Sequence, residues 1–478
     1  MSSSKREPPM PSESQYRLDN GKELTCLQVM RSLPGKRLVF AGEYQGNKVV
    51  AKLFLDPDKA EKHWRRERDG LDVISECGIA TADLLYAGKT EHDGQPVIVL
   101  AQLVGLKSVK QEWEAADDQA KEKLLRRMVT LIARHHQVGL CQADMHLDNF
   151  MLSDDEIFSL DGADVKFYQG GVSREISLDN LALFLAQLAP EWESKAAEVC
   201  DLYAAERDWQ HGPGYELLLK KLHEARDFRW KKFRSKLFRN CTAFNYTENE
   251  GGFQVVANRF SRSELIDLLR DPDSSFPGAK RAIKNGNTCT VWIAAAGELE
   301  LAIKRYNIKG IWHGLKLRLL SGRGERSWVN GHRLLFYGVA TPNPVALLKR
   351  RSGLFPTTYL FTEYIDATSS REWFNDQNIS VEAKSGMADR IASMFKTMQQ
   401  QQISHGDLKA TNILISGDNP MIIDLDAMCK HKSDSRFHRA WEKDMRRFMG
   451  NWKNDQELLG LFSNALKSNG INVAGAVQ

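Results

Sequence analysis

The feature of this chain that most restricts its fold is an internal duplication. Residues 404–428, SHGDLKATNILISGDNPMIIDLDAM, place an aspartate, an asparagine five residues later and a second aspartate twelve residues further on. Residues 141–164, CQADMHLDNFMLSDDEIFSLDGAD, repeat these intervals 263 residues earlier. The matching positions are Asp144 with Asp407, Asn149 with Asn412, and Asp161 with Asp424. An ordered series that recurs at a fixed spacing indicates that one folded unit is present twice.

Elements upstream of these segments recur in the same order. The runs NKVVAKLFL at 47–55 and LELAIKRYN at 299–307 alternate like β-strands around Lys52 and Lys304. A helical stretch, an apolar strand-like run and a second helix follow each of them. A turn-rich break, ENEGGFQ, comes after a basic helical segment near residue 235. We therefore predict an α+β fold with a flexible tail over 1–20 and two domains, 21–235 and 236–478, each with a small β-rich N-lobe and a mainly helical C-lobe.

Composition limits the partners and the compartment. The chain has 66 Lys and Arg against 62 Asp and Glu, and a net charge of +4 is too mild to predict nucleic-acid binding. Its seven cysteines form no CxxC pair, which argues against a zinc site or a disulfide framework and suits a reducing cytoplasm. The longest strongly apolar run, VIVLAQLVGL at 97–106, is too short to cross a bilayer. We expect a cytoplasmic protein, or one peripheral on the cytoplasmic face of the inner membrane.

The spacing of the triad suggests chemistry on phosphate. If NILISGDNPMIID forms a hairpin, Asn412 and Asp424 meet at one end of it. Two oxygen ligands with room for water suit Mg²⁺, which is usually held by few protein groups together with substrate phosphates. Asp407, just before the hairpin, can then orient or deprotonate an attacking hydroxyl, and a lysine on a strand can pair with nucleotide phosphates. Positioning and charge neutralisation are most of what phosphoryl transfer requires.

This arrangement resembles the protein-kinase-like signature. More narrowly, HGDLKATN with IIDLDAM, ATPNPVAL and RSWVNGHRLL resemble the Kdo/WaaP-type lipopolysaccharide kinases, and two copies in one chain resemble the InaA-like members of that group. The resemblance covers nearly everything after the tail and is clearest in the second half. It implies two tandem protein-kinase-like domains that use ATP and Mg²⁺. It also implies an alcohol acceptor, a sugar hydroxyl of the lipopolysaccharide core or a related sugar.

The resemblance also assigns roles by position. It makes Asp407 and Asp144 the catalytic aspartates, with Lys409 on the transferring phosphate. The residues that it assigns to nucleotide binding are Lys304, Lys52, Glu67 and Gly286. Those that it assigns to the metal are Asn412, Asp424, Asn149 and Asp161.

Each half departs from the signature at a different place. The first half has Gln142 at the position of His405, and His146 at that of Lys409. The second half has Ser327 at the position of Glu67, and its nearest glutamate is two positions away, about 200° round a helix. The second half is favoured as the catalytic one because its loop is intact. In the helices that follow, Asp179 and Asp444 are expected to brace the loops, as is His405 within its own loop.

The acceptor stays open on the sequence alone. Residues 304–328 hold seven Lys or Arg against one acid, interleaved with aromatic and leucine side chains. This segment suits either peripheral contact with an anionic membrane or an ordinary amphipathic connector. The alternatives to a lipopolysaccharide kinase are a nucleotide-binding regulatory protein without catalysis, and a kinase of a soluble small molecule or protein.

Overall fold

The computed structural model of the chain describes residues 14–210, 212, 214–278, 281–285, 289–306, 322–352 and 355–472. The chain divides into two compact units. Unit 1 comprises Met1–Leu188 with Trp192–Arg226, and unit 2 comprises Ala189–Glu191 with Asp227–Gln478. The division falls inside the helix Tyr215–Arg234.

Unit 1 begins with a six-stranded antiparallel sheet in the order β1-β2-β3-β4-β6-β5. Its strands are β1 Ser14–Arg17, β2 Glu23–Leu33, β3 Arg37–Tyr44, β4 Asn47–Phe54, β5 Leu84–Lys89 and β6 Pro96–Ala101, with helix α1 Ala60–Glu76 between β4 and β5. The rest of the unit is mainly helical. It contains β7 Lys107–Ser108, α2 Val109–Ala115, α3 Asp118–Gln137, β8 Leu140–Gln142, β9 Phe150–Leu152, β10 Ile157–Ser159, β11 Val165–Phe167, α4 Arg174–Leu185, α5 Ala196–Glu206 and α6 Tyr215–Arg234.

Unit 2 begins with a seven-stranded antiparallel sheet in the order β12-β13-β17-β18-β16-β15-β14. This part contains β12 Phe244–Asn249, β13 Gly252–Ala257, α7 Ser263–Arg270, β14 Arg281–Asn285, β15 Cys289–Ala296, β16 Leu299–Tyr306, α8 Arg323–Phe336, β17 Pro344–Ser352 and β18 Phe355–Glu363. The helical part contains β19 Thr368–Ser369, α9 Ser370–Asn375, α10 Val381–Gln400, β20 Ile403–Ser404, β21 Ile413–Ser416, β22 Asn419–Ile422, β23 Cys429–Lys430, α11 Asp434–Met449 and α12 Gln456–Ser468.

The duplication is visible in the order of the strands. Five strands of unit 1, β2-β3-β4-β6-β5, correspond to β14-β15-β16-β18-β17 of unit 2. Among the described residues, strand β1 has a counterpart at neither edge of the unit 2 sheet, whereas β12 and β13 extend the opposite edge of that sheet. In both units a helix follows the lysine strand and a mainly helical part follows the sheet. The predicted α+β class, with a β-rich N-lobe and a helical C-lobe in each unit, is confirmed.

Strand alternation explains where each lysine lies. In β16, Leu301 and Ile303 are fully buried in the core, so Ala302 and Lys304 fall on the opposite face of the sheet. Strand β4 does the same, with Ala51 buried next to Lys52. Since one face of the sheet must be covered by apolar side chains, the register that buries them also fixes the face of each lysine.

The helical part of unit 2 packs around α10. Its buried residues Met387, Ile391 and Phe395 recur every four positions and therefore form one stripe. That stripe belongs to a core that also includes the hairpin residues Ile413 and Ile422. The hairpin between Asn412 and Asp424 is thus anchored on the helical core of unit 2.

Candidate active site

In unit 2 the lysine strand and the chain from Asn412 to Asp424 line one cavity. Its volume is about 310 Å³, within the range of roughly 300–1,000 Å³ that small-molecule pockets have. Lys304, Asn412 and Asp424 are polar members of its wall. Apolar members of the wall include Val291, Ala302, Leu360, Leu414 and Ile423. This combination suits a ligand with a flat apolar part and a charged part.

The hairpin after Asp407 brings Asn412 and Asp424 together. Strands β21 and β22 pair from Ile413 opposite Ile422 to the turn, and the amide of Ile423 donates to the Asn412 carbonyl at 3.0 Å. Asp424 then adopts a left-handed backbone with φ of 63°, which costs a non-glycine residue roughly 1–2 kcal/mol. Strained residues of this kind concentrate at functional sites.

The loop that carries Asp407 is held by a buried carboxylate. Asp444 is 1% exposed and accepts the amide N–H of His405 at 2.6 Å and that of Gly406 at 3.0 Å. The Nε2 of His405 hydrogen-bonds to the Ile423 carbonyl at 2.9 Å, which ties the loop to the hairpin. Gly406 has φ of 82°, and a Cβ there would lie 2.7 Å from a backbone oxygen, so this turn requires glycine. These contacts agree with the expected bracing by His405 and Asp444.

Asp407 itself lies between two cations. The Nζ of Lys409 is 2.9 Å from Asp407 Oδ2, and Arg447 Nη1 contacts Oδ1. The side-chain amide of Asn412 donates to the Asp407 carbonyl at 2.9 Å, which leaves the amide oxygen to face a cation. Sequence reasoning found Lys409 and missed Arg447, because Arg447 is 40 residues away on helix α11 and no motif spacing connects the two positions.

Lys304 pairs with Asp424, the second aspartate of the Asp–Asn–Asp series. Its Nζ lies 2.5 Å from Asp424 Oδ1, and among the described residues no glutamate of helix α8 reaches it. Ser327, at the position that aligns with the first-half glutamate, accepts the hydroxyl of Tyr306 at 2.8 Å. The nearby Glu325 pairs instead with Lys349 on β17, at 2.6 Å.

The charge on Lys304 results from opposing effects. Burial alone would lower its pKa, whereas Tyr306, Asp424 and Asp426 raise the pKa above its ordinary value. The Lys304 ammonium also lies 5.1 Å from the ring centroid of Tyr306. Lys304 is therefore a permanent cation in the cavity wall.

Helix α8 is joined to the segment after Asp424 by other contacts. Arg323, at the start of the helix, donates from Nε to Asp426 Oδ2 at 2.6 Å. Asn330, which is buried, donates from its side chain to two backbone carbonyls of that segment at 2.9 and 3.0 Å. An arginine–aspartate pair thus links helix α8 to the segment that follows Asp424. Sequence reasoning missed all three residues. The one sequence feature that pointed to Asp426 was its position two residues after Asp424 in IIDLDAM.

We expect a double-mutant cycle to detect the Arg323–Asp426 pair. Arg323→Ala and Asp426→Asn should each lower the free energy of unfolding of unit 2, with a coupling energy of roughly 1–3 kcal/mol, because the pair is largely buried and charge-assisted. Denaturant titration measures it. The pair Arg270–Asp267 on α7, with side chains 76% and 66% exposed, is the matched control and should give roughly 0–0.5 kcal/mol. Equal coupling for the two pairs would contradict the assignment.

In unit 1 the strand lysine pairs with a helix glutamate, a contact that Lys304 does not make in the described part of unit 2. Lys52 Nζ contacts Glu67 Oε1, and Glu67 is fully buried on helix α1. Arg37 Nη1 lies 3.9 Å from the other carboxylate oxygen. Burial and the charge of Asp161 raise the pKa of Glu67, against the opposing effect of Lys52. Burial would also raise the pKa of Asp161, but Lys52 and hydrogen bonds lower it below its usual range. The three side chains form one electrostatic group.

The loop of unit 1 is held by amides instead of a histidine and a carboxylate. Gln142 donates to the Asp161 carbonyl at 3.1 Å, close to where His405 hydrogen-bonds in unit 2. Asn180 on α4 donates to the Gln142 carbonyl at 2.7 Å. The Asn149 side chain donates to the Asp144 carbonyl at 3.1 Å, as in the other unit.

The expectation that Asp179 braces the loop is wrong, since its carboxylate is 58% exposed and pairs with Lys221 at 2.5 Å. The next residue on the helix, Asn180, faces the loop because successive helical positions differ by about 100°. His146 accepts the Asp148 amide N–H at 3.2 Å through Nδ1.

Helix α3 carries two adjacent buried histidines. His136 hydrogen-bonds to the Tyr203 hydroxyl at 2.6 Å and to Asn180 at 3.0 Å. The Nε2 of His135 is buried and has no hydrogen-bond partner in the described part of the chain. Burial, with the neighbouring His136, lowers the pKa of His135 to about 3, and burial lowers the pKa of His136 to about 4. Both histidines are neutral in the folded unit.

Unit 1 is therefore expected to lose stability in mild acid. Below pH 6.5 the unfolded histidines bind protons that the folded ones do not, so the free energy of unfolding falls as the pH falls. Between pH 6 and 5, His135→Leu should reduce this loss by about 1 kcal/mol, measured by denaturant titration of the unit 1 transition. His92→Gln, at a 98% exposed side chain, is the control and should leave the slope unchanged. An unchanged slope in His135→Leu would refute the prediction.

Two sequence-based expectations concern residues that the structure does not describe. Gly286 and residues 307–321, most of the basic segment, lie outside the described residues. Within the described ranges, no group of three or more His, Cys, Asp or Glu has the geometry of a metal site. None of the helices described is long and apolar enough to span a membrane.

The residues of unit 2 nevertheless fit a hard cation bound with a nucleotide. The amide oxygen of Asn412 and the carboxylate of Asp424 are oxygen ligands at one end of one hairpin. Mg²⁺ commonly takes one or two protein oxygens and completes its shell with water and phosphate. In unit 1, Asn149 and Asp161 stand in the same relation, because the Leu160 amide donates to the Asn149 carbonyl at 2.9 Å.

Comparisons with solved structures give low scores. The crystal structure of the Mycobacterium tuberculosis PknI kinase domain matches with 15% identity and a TM-score of 0.30, covering 46% of this chain and all of that domain. A cysteine-to-alanine mutant of that domain matches with 17% identity and a TM-score of 0.28, covering 38% of this chain and 77% of the other. Such scores carry no weight for the fold, which rests on the strand order and on the internal repeat.

Sequence comparison is more specific. No curated protein matches this chain significantly. A family description does match, over a range that contains Lys304, Asp407, Asn412, Asp424 and Arg447 but less than half of the chain. The resemblance read from the motifs is thereby confirmed for the second half: residues 280–457 match the lipopolysaccharide kinase (Kdo/WaaP) family.

Proposed function

We propose that this protein is an ATP-dependent kinase that phosphorylates a sugar hydroxyl of the lipopolysaccharide core at the cytoplasmic face of the membrane. The observation that carries the proposal is the cavity of unit 2, where Lys304 meets Asp424 at 2.5 Å and Asn412 lies in the same wall. The family match over residues 280–457 supports the acceptor class. The chemistry is assigned to unit 2.

In this proposal Asp407 accepts the proton of the acceptor hydroxyl. The hydroxyl oxygen forms a bond to the γ-phosphorus of ATP, the bond from that phosphorus to the β,γ-bridging oxygen breaks, and ADP leaves. Lys304 holds the nucleotide phosphates as a point charge. Lys409, already beside Asp407, neutralises charge on the group in transfer. Asp444 and His405 keep the loop in place while the substrates change.

Asn412 and Asp424 would hold Mg²⁺, which supplies neutralisation of phosphate charge when it is bound. In the structure Asp424 is paired with Lys304. Nucleotide binding would therefore require Lys304 to release Asp424, so that Lys304 could hold phosphate oxygens and Asp424 could serve as a metal ligand. The exchange leaves no charge unpaired, because each group replaces one partner of opposite charge with another.

The acceptor and the location form the finer part of the proposal. A core sugar attached to lipid is reached from the membrane surface, and the basic segment 304–328 supplies the charge for contact with anionic lipid. A soluble sugar or a protein acceptor would need no such contact.

The test measures ADP production by the full chain with Mg²⁺ and ATP, with and without purified core lipopolysaccharide. We expect stimulation by the lipopolysaccharide, a phosphate gained by it in mass analysis, and sedimentation of the protein with anionic vesicles. Stimulation only by soluble sugars or proteins would replace the acceptor. Absence of transfer to any acceptor would refute the kinase proposal.

Unit 1 has a feature that favours nucleotide binding without transfer. Its lysine, helix glutamate and hairpin aspartate are assembled, yet Asp144 is exposed and has no ion pair in the described part of the chain. We therefore propose that unit 1 binds a nucleotide in a regulatory role. Lys52→Met should remove one of two nucleotide-dependent thermal shifts and change the rate of transfer by unit 2, whereas Asp144→Asn should leave that rate unchanged. An unchanged rate in Lys52→Met would contradict the regulatory role.

A further inference from the structure

Asp407, the proposed base of unit 2, carries one negative charge but lies beside two cations. Lys409 contacts one carboxylate oxygen of Asp407 and Arg447 contacts the other. The side chains of Lys409 and Arg447 are 44% and 43% exposed, against 28% for Asp407. Both cations therefore remain accessible from solvent.

Stability does not account for the second cation. Ion pairs between side chains this exposed contribute roughly 0–1 kcal/mol, and two cations on one carboxylate leave an uncompensated positive charge. Unit 1 provides an internal comparison, since its Asp144 has no ion pair among the described residues. The helix α4 there carries Leu183 and Phe184 in the region that matches Arg447.

The helix that carries Arg447 is anchored in the core, although the head group of Arg447 is exposed. Its neighbours on α11, Met445 and Phe448, are buried in the core, and Asp444 on the same helix binds the loop of Asp407. Within the described part of the chain, the hydrogen bonds of Arg447 use Nη1, to Asp407 and, at 3.5 Å, to the Gly406 carbonyl. Its Nε and Nη2 remain for a ligand, and this edge of a guanidinium matches the two oxygens of a carboxylate or phosphate.

We propose that Arg447 binds an anionic group of the acceptor next to the hydroxyl that Asp407 deprotonates, while Lys409 stays on the group in transfer. The inference rests on the proposed kinase function and narrows its acceptor to sugars that carry a carboxylate or phosphate near the reacting hydroxyl. When the acceptor binds, its hydroxyl replaces Arg447 at the Asp407 carboxylate. Arg447 then pairs with the anionic group of the acceptor. The swap keeps every charge paired and places the hydroxyl against the base.

Binding and transfer measured together test this inference. Full-length protein with Mg²⁺ and ADP is titrated calorimetrically with glucuronate, glucose 6-phosphate and glucose, and the same sugars are then assayed as acceptors with ATP. We expect the acidic sugars to bind and neutral glucose to bind at least about tenfold more weakly. The carboxylate and phosphate arms show which anion the site prefers.

Three variants assign the effect to Arg447. Arg447→Gln should weaken binding of the acidic sugar, and raise its KM, by about 10- to 100-fold, while the KM for ATP stays the same. Arg447→Lys should restore part of the loss, since it returns the charge but not the two-pronged geometry. Arg446→Gln removes the exposed neighbouring arginine and should change neither quantity.

The outcomes separate the two proposals. Equal binding of neutral and acidic sugars, or unchanged acidic-sugar binding in Arg447→Gln, would overturn the anionic subsite even if transfer occurs. Specific binding of acidic sugars that is lost in Arg447→Gln would uphold the subsite even without transfer, in which case the kinase proposal fails on its own.

Discussion

Replacing Asp407 with asparagine is expected to lower kcat for phosphoryl transfer by about 10²- to 10⁴-fold, the usual contribution of a general base. The substitution keeps the size of the side chain but removes the carboxylate that accepts the hydroxyl proton. It also removes the anion that Lys409 and Arg447 contact. The measurement is the rate of ADP release at saturating ATP and acceptor, with thermal unfolding recorded to show that unit 2 remains folded.

The internal repeat supplies the control for this experiment. Asp144→Asn changes the matching residue of unit 1, which is exposed and lies beside no cation among the described residues. We expect it to leave kcat within about twofold of wild type, because transfer is assigned to unit 2 and surface substitutions usually have small effects. If Asp144→Asn abolishes turnover and Asp407→Asn does not, the catalytic unit is the first one. If neither variant affects turnover, the aspartates are not the base.

The largest effect on stability is expected from Gly70→Ala in unit 1. Gly70 lies on helix α1, three residues after Glu67, and a Cβ there would lie 1.9 Å from the carbonyl oxygen of Gly162. Neither backbone can yield easily, so we expect the free energy of unfolding to fall by about 1–3 kcal/mol or more. In a unit of this size each kcal/mol lowers Tm by about 2–4 °C. Because Gly162 follows Asp161, nucleotide binding by unit 1 should weaken as well.

Two other helical glycines are controls of opposite sign. A Cβ added to Gly386 on α10 or to Gly460 on α12 would have no atom within 4 Å, and both residues have normal helical backbones. Alanine at either place should raise the free energy of unfolding of unit 2 by roughly 0.5–1 kcal/mol, since helical glycine loses more chain entropy than alanine. A stabilising effect of Gly70→Ala would show that helix α1 does not approach Gly162 so closely.

Short-range patterns predicted much of the fold and of the candidate site. Alternation around Lys304 indicated a strand, and the structure has that strand as β16, with the lysine on the face opposite the core. The NILISGDNPMIID run indicated a hairpin, and β21 and β22 form it. Fixed motif spacing also placed Asn412 beside Asp424, because a hairpin of known length returns the chain to its starting edge.

Contacts between distant segments were not predictable in this way. Arg447 approaches Asp407 from a helix 40 residues away, and Arg323 reaches Asp426 across 103 residues. No local period encodes these distances, since they depend on how helices dock on the sheet and the loop. The error at Asp179 has the same origin, because one helical step decides whether a side chain meets the loop or the solvent.

The sequence by itself determined that the chain holds two related units, each with a strand lysine and an Asp–Asn–Asp series, because strand alternation and hairpin length are local properties. Only the tertiary structure decided which partner each of these residues has. It joined Lys52 to Glu67 in unit 1 but Lys304 to Asp424 in unit 2, and it gave Asp407 two cations. The physical reason is that charged side chains pair with whatever opposite charge the packed helices bring within reach, and packing is a property of the whole unit.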